Sequence, residues 1–160
     1  GLHPEVGFHI LGTVQEEIGS RGAQIAAHAI GARTGLAVDM GQATDYPDAD
    51  VRQYGVLDIG KGPGIDRGAN TNQAVFDILT RAAAEDGIPH QIHVTPGTTP
   101  TDARVMQISR SGMATGLLSV PLRYMHTPCE MLDLGDLEQT ARLAAGFCRR
   151  IRPDTDFCPR

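Results

Sequence analysis

The amino-acid sequence predicts an α/β protein in three layers, with helices on both faces of a sheet. Two observations support this prediction. Short apolar runs, typical of strands that are covered on both faces, alternate along the chain with longer stretches of helical periodicity. Loops rich in glycine and proline, at 60–64 and 95–100, separate these segments. Alternating strands and helices bury their apolar surfaces most readily as stacked layers, which gives the three-layer arrangement.

The strand predictions rest on apolar runs that are bounded by turn residues. Four segments fit this description: Val6–Val14, Thr34–Asp39, Gln91–Val94 and Thr115–Val120. A sheet of about four strands that begins almost at the start of the chain leaves an edge that natural proteins normally cover. The sequence therefore predicts that N-terminal strands of the parent fold are missing from this chain.

The helix predictions rest on apolar residues at a spacing of three and four. Three segments show it: Ala23–Ile30, Thr71–Asp86 and Leu134–Ile151. In the second segment Asn70 or Thr71 is suited to cap the start, and Gly87 is suited to end the helix. The third carries leucine and alanine at helical spacing from about Asp136 onward.

The composition fits one globular domain of 160 residues with enough apolar residues for a core. No apolar run reaches the roughly 20 residues that span a membrane, and no export signal is visible. A net charge of −5 without a basic cluster argues against nucleic acid as a partner. Three cysteines without metal-type spacing suit free thiols, so we expect a cytoplasmic protein without membrane or nucleic-acid contacts.

Two adjacent carboxylates, Glu16 and Glu17, follow the first predicted strand and precede a glycine-rich turn and a helix. Ligands of α/β proteins bind at the carboxyl ends of strands, so this pair lies where chemistry is expected. One carboxylate can bind a metal ion there while its neighbour handles a proton. The alternative is an exposed acidic pair that the helix dipole stabilises. The dipeptide alone leaves both interpretations open.

Two further polar side chains follow other predicted strands. Asp39 ends the apolar run at 36–39, and His126 follows the strand that ends near residue 120. Taken separately, an aspartate cap and a structural histidine explain them at least as well. Together with Glu17 they form a set of two carboxylates and one imidazole, which suits zinc, cobalt or manganese. The combination favours a metal centre over three coincidental caps.

Seven motifs between Val6 and Phe147 carry a family resemblance. They are Thr-Val-Gln-Glu-Glu-Ile-Gly at 13–19, Arg-Gly-Ala at 21–23, Ala-Val-Asp at 37–39, Gly-Lys-Gly-Pro at 60–63, Ile-Pro-His-Gln at 88–91, Thr-Asp-Ala at 101–103 and Val-Pro-Leu-Arg-Tyr-Met-His-Thr-Pro at 120–128. With these motifs the chain resembles the tetrahedral aminopeptidases, dinuclear metallopeptidases that include glutamyl, leucyl and lysyl aminopeptidases. The resemblance implies a zinc-exopeptidase-like fold with a mixed, largely parallel sheet.

The resemblance also implies a role for each candidate residue. Glu16 matches the general base of the family, and Asp39 matches a ligand of one metal ion. Glu17 and His126 match ligands of the other ion. The implied cofactors are two divalent ions, zinc or cobalt, and the implied substrates are peptides with a free amino terminus. Family members often form twelve-subunit tetrahedra, so a homo-oligomer, with a dodecamer as the family's form, is expected of the full-length protein.

Three other polar residues are candidates for a substrate pocket, each with a plainer alternative. Lys61 lies in the Gly-Lys-Gly-Pro turn, where a solvated lysine is equally plausible. Arg21 could pair with an acidic substrate, although an arginine at a helix start usually faces water. Asp102 either braces the site or caps the helix that begins at Ala103. We interpret Arg123 as an anchor for the loop that carries His126.

Two departures from the family pattern limit what this chain does alone. The family carries a further metal-binding histidine, a bridging aspartate and an inserted dimerisation domain, and none has a counterpart among residues 1–160. His3 and His9 are poor substitutes, since one is near the terminus and the other lies within a predicted strand. Thr99-Pro100 also replaces the usual Gly-Gly before Thr-Asp-Ala. We therefore expect residues 1–160 to be the C-terminal portion of one catalytic domain, inactive by itself.

Two alternatives to a peptidase stay open. A related zinc-dependent amide hydrolase or deacylase would not require a free amino terminus on its substrate. A non-catalytic remnant would keep the fold for assembly or binding, although the intact set of candidate residues disfavours decay.

Overall fold

The computed structural model describes residues 3–158 and has one sheet with helices on both faces. The strands are β1 (Thr34–Gln42), β2 (Gly64–Gly68), β3 (Gln91–Thr95), β4 (Ala114–Arg123) and β5 (Met131–Leu132). The helices are α1 (Arg21–Ile30), α2 (Val51–Tyr54), α3 (Gln73–Glu85), α4 (Ala103–Gln107) and α5 (Leu134–Arg150). None of the described helices is both long and apolar enough to cross a lipid bilayer.

The sheet is mixed and runs in the order β1-β4-β2-β3, with β5 paired to β4. β1 is parallel to β4, and β2 is parallel to β3, whereas β4 pairs antiparallel with β2 and β5. The α/β class and the mixed, largely parallel sheet predicted from the sequence are confirmed.

The central strand β4 separates two apolar cores. Leu118 is fully buried in a core with α3 and α5, which also takes in Ile65 of β2. Its neighbour Leu117 packs on the opposite face with Ala37 of β1 and Ala103 of α4. Successive side chains of a strand point to opposite faces, so one strand fills both cores. This alternation produces the three layers.

The two longest helices, α3 and α5, begin where side chains satisfy their free N–H groups. The Asn72 carboxamide oxygen accepts hydrogen bonds from the backbone N–H groups of Ala74 and Val75 at the start of α3. Asp133 does the same at the start of α5. These caps satisfy donors that the helix leaves unpaired. The predicted caps Asn70 and Thr71 were therefore placed one or two residues early.

The predicted first strand, Val6–Val14, is wrong. This segment has no regular secondary structure, and Ile10 is fully exposed, with Leu11 52% and Val14 64% exposed. An apolar segment becomes a strand only where a neighbouring strand pairs with its backbone N–H and C=O groups. None of the strands in the described chain pairs with this segment. Val6 alone packs against the core with α3 and α5.

β2 was not predicted because its sequence reads as a continuation of the Gly-Pro loop. The turn before it depends on the buried Asp136, whose carboxylate accepts the N–H groups of Gly60 at 2.6 Å and Gly62 at 2.7 Å. Gly62 has a φ of 86°, and a Cβ atom there would collide with the Pro89 carbonyl. Long-range contacts, rather than local propensity, therefore place this strand.

A buried ion pair joins β2 to β3. His93 Nδ1 lies 2.8 Å from Asp66 Oδ1, and Thr95 Oγ1 contacts both Asp66 carboxylate oxygens at 3.1 Å. His93 Nε2 lies 3.2 Å from the carbonyl oxygen of Tyr54 in α2. Both partners of the imidazole are acceptors, so only the doubly protonated ring donates to both. The Asp66 hydrogen bond accordingly raises the pKa of His93, against the opposing effect of burial.

His93→Gln is expected to destabilise the protein more at pH 6 than at pH 8. The pKa of His93 is raised on folding, so its contribution is complete below the unfolded value and is lost as pH rises through the folded value. The cost at pH 6 is about 1.5–3 kcal/mol, the range for hydrogen bonds to charged groups. Urea unfolding at both pH values measures it, with His90→Gln, just before β3, as the control. A cost that does not change with pH would contradict the charged pair.

Candidate functional site

The four predicted site residues lie on three segments that the fold brings together. Asp39 lies in β1, on the same face as Ala37, which packs against α4. His126 follows β4, the parallel neighbour of β1. Glu16 and Glu17 lie in the turn that leads into α1, where the Glu16 carbonyl accepts the N–H groups of Gly19 and Ser20.

Electrostatic coupling shows that the carboxylates are close neighbours. The pKa of Glu16 is raised, first by burial and then by the negative charges of Asp39, Glu17 and Asp102. The pKa of Asp39 is raised by burial and by the charges of Asp102 and Glu17. The Met40 N–H, which donates to Asp39 Oδ1 at 2.7 Å, and His126 act in the opposite direction. Four carboxylates thus crowd one region, and their mutual repulsion favours protons or a cation there.

His126 makes its side-chain contact with this cluster through Glu17. The distance from His126 Nε2 to Glu17 Oε2 is 3.4 Å, and both side chains are largely exposed, 70% and 74% respectively. This pair joins the segment after β4 to the turn before α1. A weak and solvated contact of this kind leaves both groups available to a ligand.

Asp102 braces the acidic turn and does not cap α4. Its Oδ2 atom accepts a 2.6 Å hydrogen bond from Thr13 Oγ1, three residues before Glu16. No capping hydrogen bond forms between its side chain and α4. Its Oδ1 atom is buried without a hydrogen-bond partner. A buried carboxylate oxygen without a donor is costly, and a cation or a protonated neighbour would satisfy it.

The backbone beside the site residues is strained. Gln15, Tyr124 and His126 have φ values of 61°, 61° and 63°, in the left-handed region that side chains other than glycine seldom adopt. Such a conformation costs about 1–2 kcal/mol per residue and tends to occur at functional sites. The Glu-Glu turn and the histidine loop both contain it, so their shapes are imposed by the surrounding structure.

The donor chemistry fits a divalent cation, but the ligand set is partial. Carboxylate oxygens and an imidazole are ligands that zinc, cobalt and manganese accept. The crowded carboxylates and the unpartnered Asp102 oxygen fit a positive charge at this place. Within residues 3–158, however, no three histidine, cysteine, aspartate or glutamate side chains are arranged to hold a metal by themselves.

The two basic residues predicted for the substrate pocket, and the two histidines judged poor metal ligands, lie outside this cluster of contacts. Arg21 is exposed at the first residue of α1. Lys61 is exposed and pairs with Asp58 at 2.6 Å. His9 is exposed, and His3 Nδ1 accepts a hydrogen bond from the Glu5 N–H. These contacts give none of the four a position among the acidic side chains.

Comparison with known proteins identifies the family. A family model described as M42 glutamyl aminopeptidase matches residues 2–143. The chain belongs to this family. The resemblance to tetrahedral aminopeptidases that the motifs carry is thereby confirmed.

Three similar proteins show how much of a longer chain this sequence matches. Lysyl aminopeptidase from Pyrococcus furiosus is 40% identical over 155 residues, which are 97% of this chain and 44% of the relative. The TET aminopeptidase of Thaumarchaeota archaeon SCGC AB-539-E09 superposes with a TM-score of 0.81 at 30% identity, covering 89% of this chain and 40% of that structure. The TET1 peptidase of Pyrococcus horikoshii superposes with a TM-score of 0.67 at 31% identity. The match covers 87% of this chain and 40% of that structure. The M42 chain therefore spans less than half the length of these relatives.

Asp39→Asn is expected to stabilise the metal-free protein at neutral pH, because it removes a negative charge that is partly buried and lies near other carboxylates. The pKa of Asp39 is raised on folding, so wild-type stability recovers as pH falls through the folded pKa and the advantage of the variant disappears. A gain of up to about 1 kcal/mol corresponds to roughly 2–4 °C in Tm. Thermal unfolding with a chelator between pH 7.5 and 4 measures it, with the exposed Asp154→Asn as control. Destabilisation at pH 7.5 would argue against crowding.

Proposed function

We propose that this chain is the C-terminal portion of the catalytic domain of a metal-dependent aminopeptidase, which removes N-terminal residues from peptides. The observation that supports this most is the coupled acidic cluster of Glu16, Glu17, Asp39 and Asp102, joined by His126, in a chain of the M42 family. A cluster of carboxylates that includes an imidazole is the environment expected for a divalent cation.

Each residue takes a role that its position supports. Glu17 and His126, 3.4 Å apart, would bind one ion. Asp39 would be a ligand of the other ion. When bound, two divalent ions, zinc or cobalt, supply Lewis acidity at the scissile carbonyl and lower the pKa of water. Glu16 takes a proton from the attacking water and passes it to the departing amine. Burial and the neighbouring negative charges raise the pKa of Glu16, which makes its carboxylate a better proton acceptor than that of an ordinary glutamate.

Asp102 and the two basic residues have supporting roles. Asp102 fixes the turn that carries Glu16 through its hydrogen bond to Thr13. Arg21 and Lys61 stay candidates for contact with the substrate side chain, and Lys61 is paired with Asp58.

The chain alone is incomplete under this proposal. It supplies two ligands for one ion and one ligand for the other, and it spans 44% of lysyl aminopeptidase from Pyrococcus furiosus. The activity therefore belongs to a complete protein that adds the further histidine and the bridging aspartate implied by the resemblance. Residues 1–160 alone are expected to be inactive.

The partners follow from the same proposal. The substrates are peptides with a free amino terminus, and the net charge of −5 without a basic cluster argues against nucleic acid. The TET1 peptidase of Pyrococcus horikoshii assembles into a tetrahedron or a large octahedral shell. We extend this to a homo-oligomer of the complete protein, with a dodecamer as the first state to test, located in the cytoplasm and free of membrane contacts.

Glu16→Gln in the complete protein is expected to lower kcat by a factor of about 10²–10⁴, the usual contribution of general base catalysis. Zinc content should stay at the wild-type level, because Glu16 is not a proposed ligand. Release of p-nitroaniline from aminoacyl-p-nitroanilides and metal analysis measure the two quantities. Glu5→Gln, on an exposed residue of the N-terminal segment, is the control. Unchanged turnover would contradict the role of Glu16.

The same assay separates the alternatives. A deacylase would cleave acetylated and free substrates equally well, and a non-catalytic remnant would release no product with zinc or cobalt. An aminopeptidase requires both the metal and the free amino group.

A further inference from the structure

We propose that Asp45 and Tyr46 are positioning residues that hold the loop carrying His126 in the site. This inference rests on the proposed function, since it concerns a proposed metal ligand. Neither residue belongs to the predicted site. Both lie just beyond the end of β1. Asp45 contacts Arg123, the last residue of β4, and Tyr46 contacts Tyr124, which follows it.

Asp45 binds Arg123 through both carboxylate oxygens. Oδ1 accepts from Arg123 Nε at 2.8 Å, and Oδ2 accepts from Arg123 Nη2 at 2.6 Å. Oδ2 also accepts the Ile59 N–H at 3.1 Å, so the carboxylate ties a third segment to the first two. The hydrogen bonds from Arg123 lower the pKa of Asp45, which keeps the carboxylate charged. A bidentate pair fixes orientation as well as distance, which a single contact does not do.

Tyr46 adds a second point of attachment. Its ring centroid lies 5.2 Å from that of Tyr124, with the planes tilted by 55°, a favourable geometry for an aromatic pair. Gln42 Nε2 donates to the Tyr46 hydroxyl at 3.2 Å, so the last residue of β1 holds the ring in turn. Asp45 and Tyr46 are hereafter called the clasp.

The clasp begins where the pairing of β1 with β4 stops. The last registered pair of β1 and β4 is Gln42 with Leu122, followed by one more hydrogen bond from the Ala43 N–H to the Leu122 carbonyl. Beyond it β1 no longer pairs with this chain, and Arg123 is paired on its other side with Met131 of the short strand β5. The contacts to Arg123 and Tyr124 continue the connection for two residues, which leaves only Met125 before His126.

His126 needs such an external restraint. His126 and Tyr124 have φ values of 63° and 61°. Such left-handed conformations are unfavourable for residues other than glycine and persist only when the surrounding structure imposes them. The imidazole is 70% exposed and contacts Glu17 at 3.4 Å, so packing does little to place it. Local hydrogen bonds shape the turn, including one from the His126 N–H to Glu130 Oε1 at 2.6 Å. The clasp is what connects this turn to β1, which carries Asp39.

The experiment uses the complete zinc-loaded protein and the variants Asp45→Asn, Asp45→Glu and Tyr46→Leu. Supporting residues of this kind typically contribute 10–100-fold to metal affinity or activity. We expect Asp45→Asn to weaken zinc binding and lower kcat by such a factor, with KM changed less than about 3-fold, since no substrate contact is lost. Asp45→Glu keeps the charge and should recover part of both. The control is Glu85→Gln, which breaks an exposed ion pair with Arg150 between α3 and α5.

Cobalt substitution gives a readout that stability alone does not change. The visible spectrum of the cobalt-loaded protein reports ligand geometry, so it should differ in Asp45→Asn and Tyr46→Leu and stay constant in Glu85→Gln. Wild-type metal affinity, kcat and cobalt spectrum in a folded Asp45→Asn variant would overturn the clasp. If that variant fails to fold, the same measurements on Tyr46→Leu decide the matter.

A metal-free measurement separates the clasp from the proposed function. Backbone ¹⁵N relaxation of residues 124–127 should show order parameters near 0.85 in the wild type and below about 0.6 in Asp45→Asn. A wild-type protein that binds no zinc and cleaves no peptide would reject the aminopeptidase, while this loss of order would still support the clasp. Unchanged order parameters would reject the clasp, whatever the activity.

Discussion

The parallel pairing of β1 with β4 is the constraint on which the rest of the structure depends. It runs over nine registered pairs, from Thr34 opposite Ala114 to Gln42 opposite Leu122. The pairing makes β4 a central strand, and the adjacent residues Leu117 and Leu118 then fill separate cores on its two faces. Parallel strands also end at one edge, so the segment after β4 emerges beside the end of β1. The candidate site is a consequence of this geometry.

The distribution of charge distinguishes the site from the rest of the protein. Several carboxylates elsewhere have donors: Asp136 accepts two backbone N–H groups, and Asp86 pairs with Arg149 and Arg150. Glu16 and Asp39 lie instead among other carboxylates, and burial together with the neighbouring negative charges raises the pKa of both. An arrangement that costs the folded chain stability is expected where function, rather than folding, selects the residues.

Particular segments show how far prediction from sequence reached. Apolar content identified β1 and β4 correctly, although both strands extend a few residues beyond the predicted ends. The same reasoning failed at Val6–Val14, which is equally apolar but lacks a neighbouring strand. It also missed β2, because Gly64–Gly68 resembles a loop and becomes a strand only between β4 and β3. Local composition indicates only the strand propensity of a segment. Whether the segment becomes a strand depends on pairing with residues far away in the sequence.

The sequence by itself determined the family, the α/β class and the identity of the candidate residues, because the Glu-Glu and Arg-Tyr-Met-His motifs are specific and the apolar periodicity is strong. Only the tertiary structure decided how these residues meet: the 3.4 Å contact of Glu17 with His126, the brace from Asp102 to Thr13, and the hold of Asp45 on Arg123. These contacts join residues 78 to 109 positions apart in the chain, and no local pattern encodes them. Side-chain distance at a site is set by strand register and packing, which act only once the whole sheet has formed.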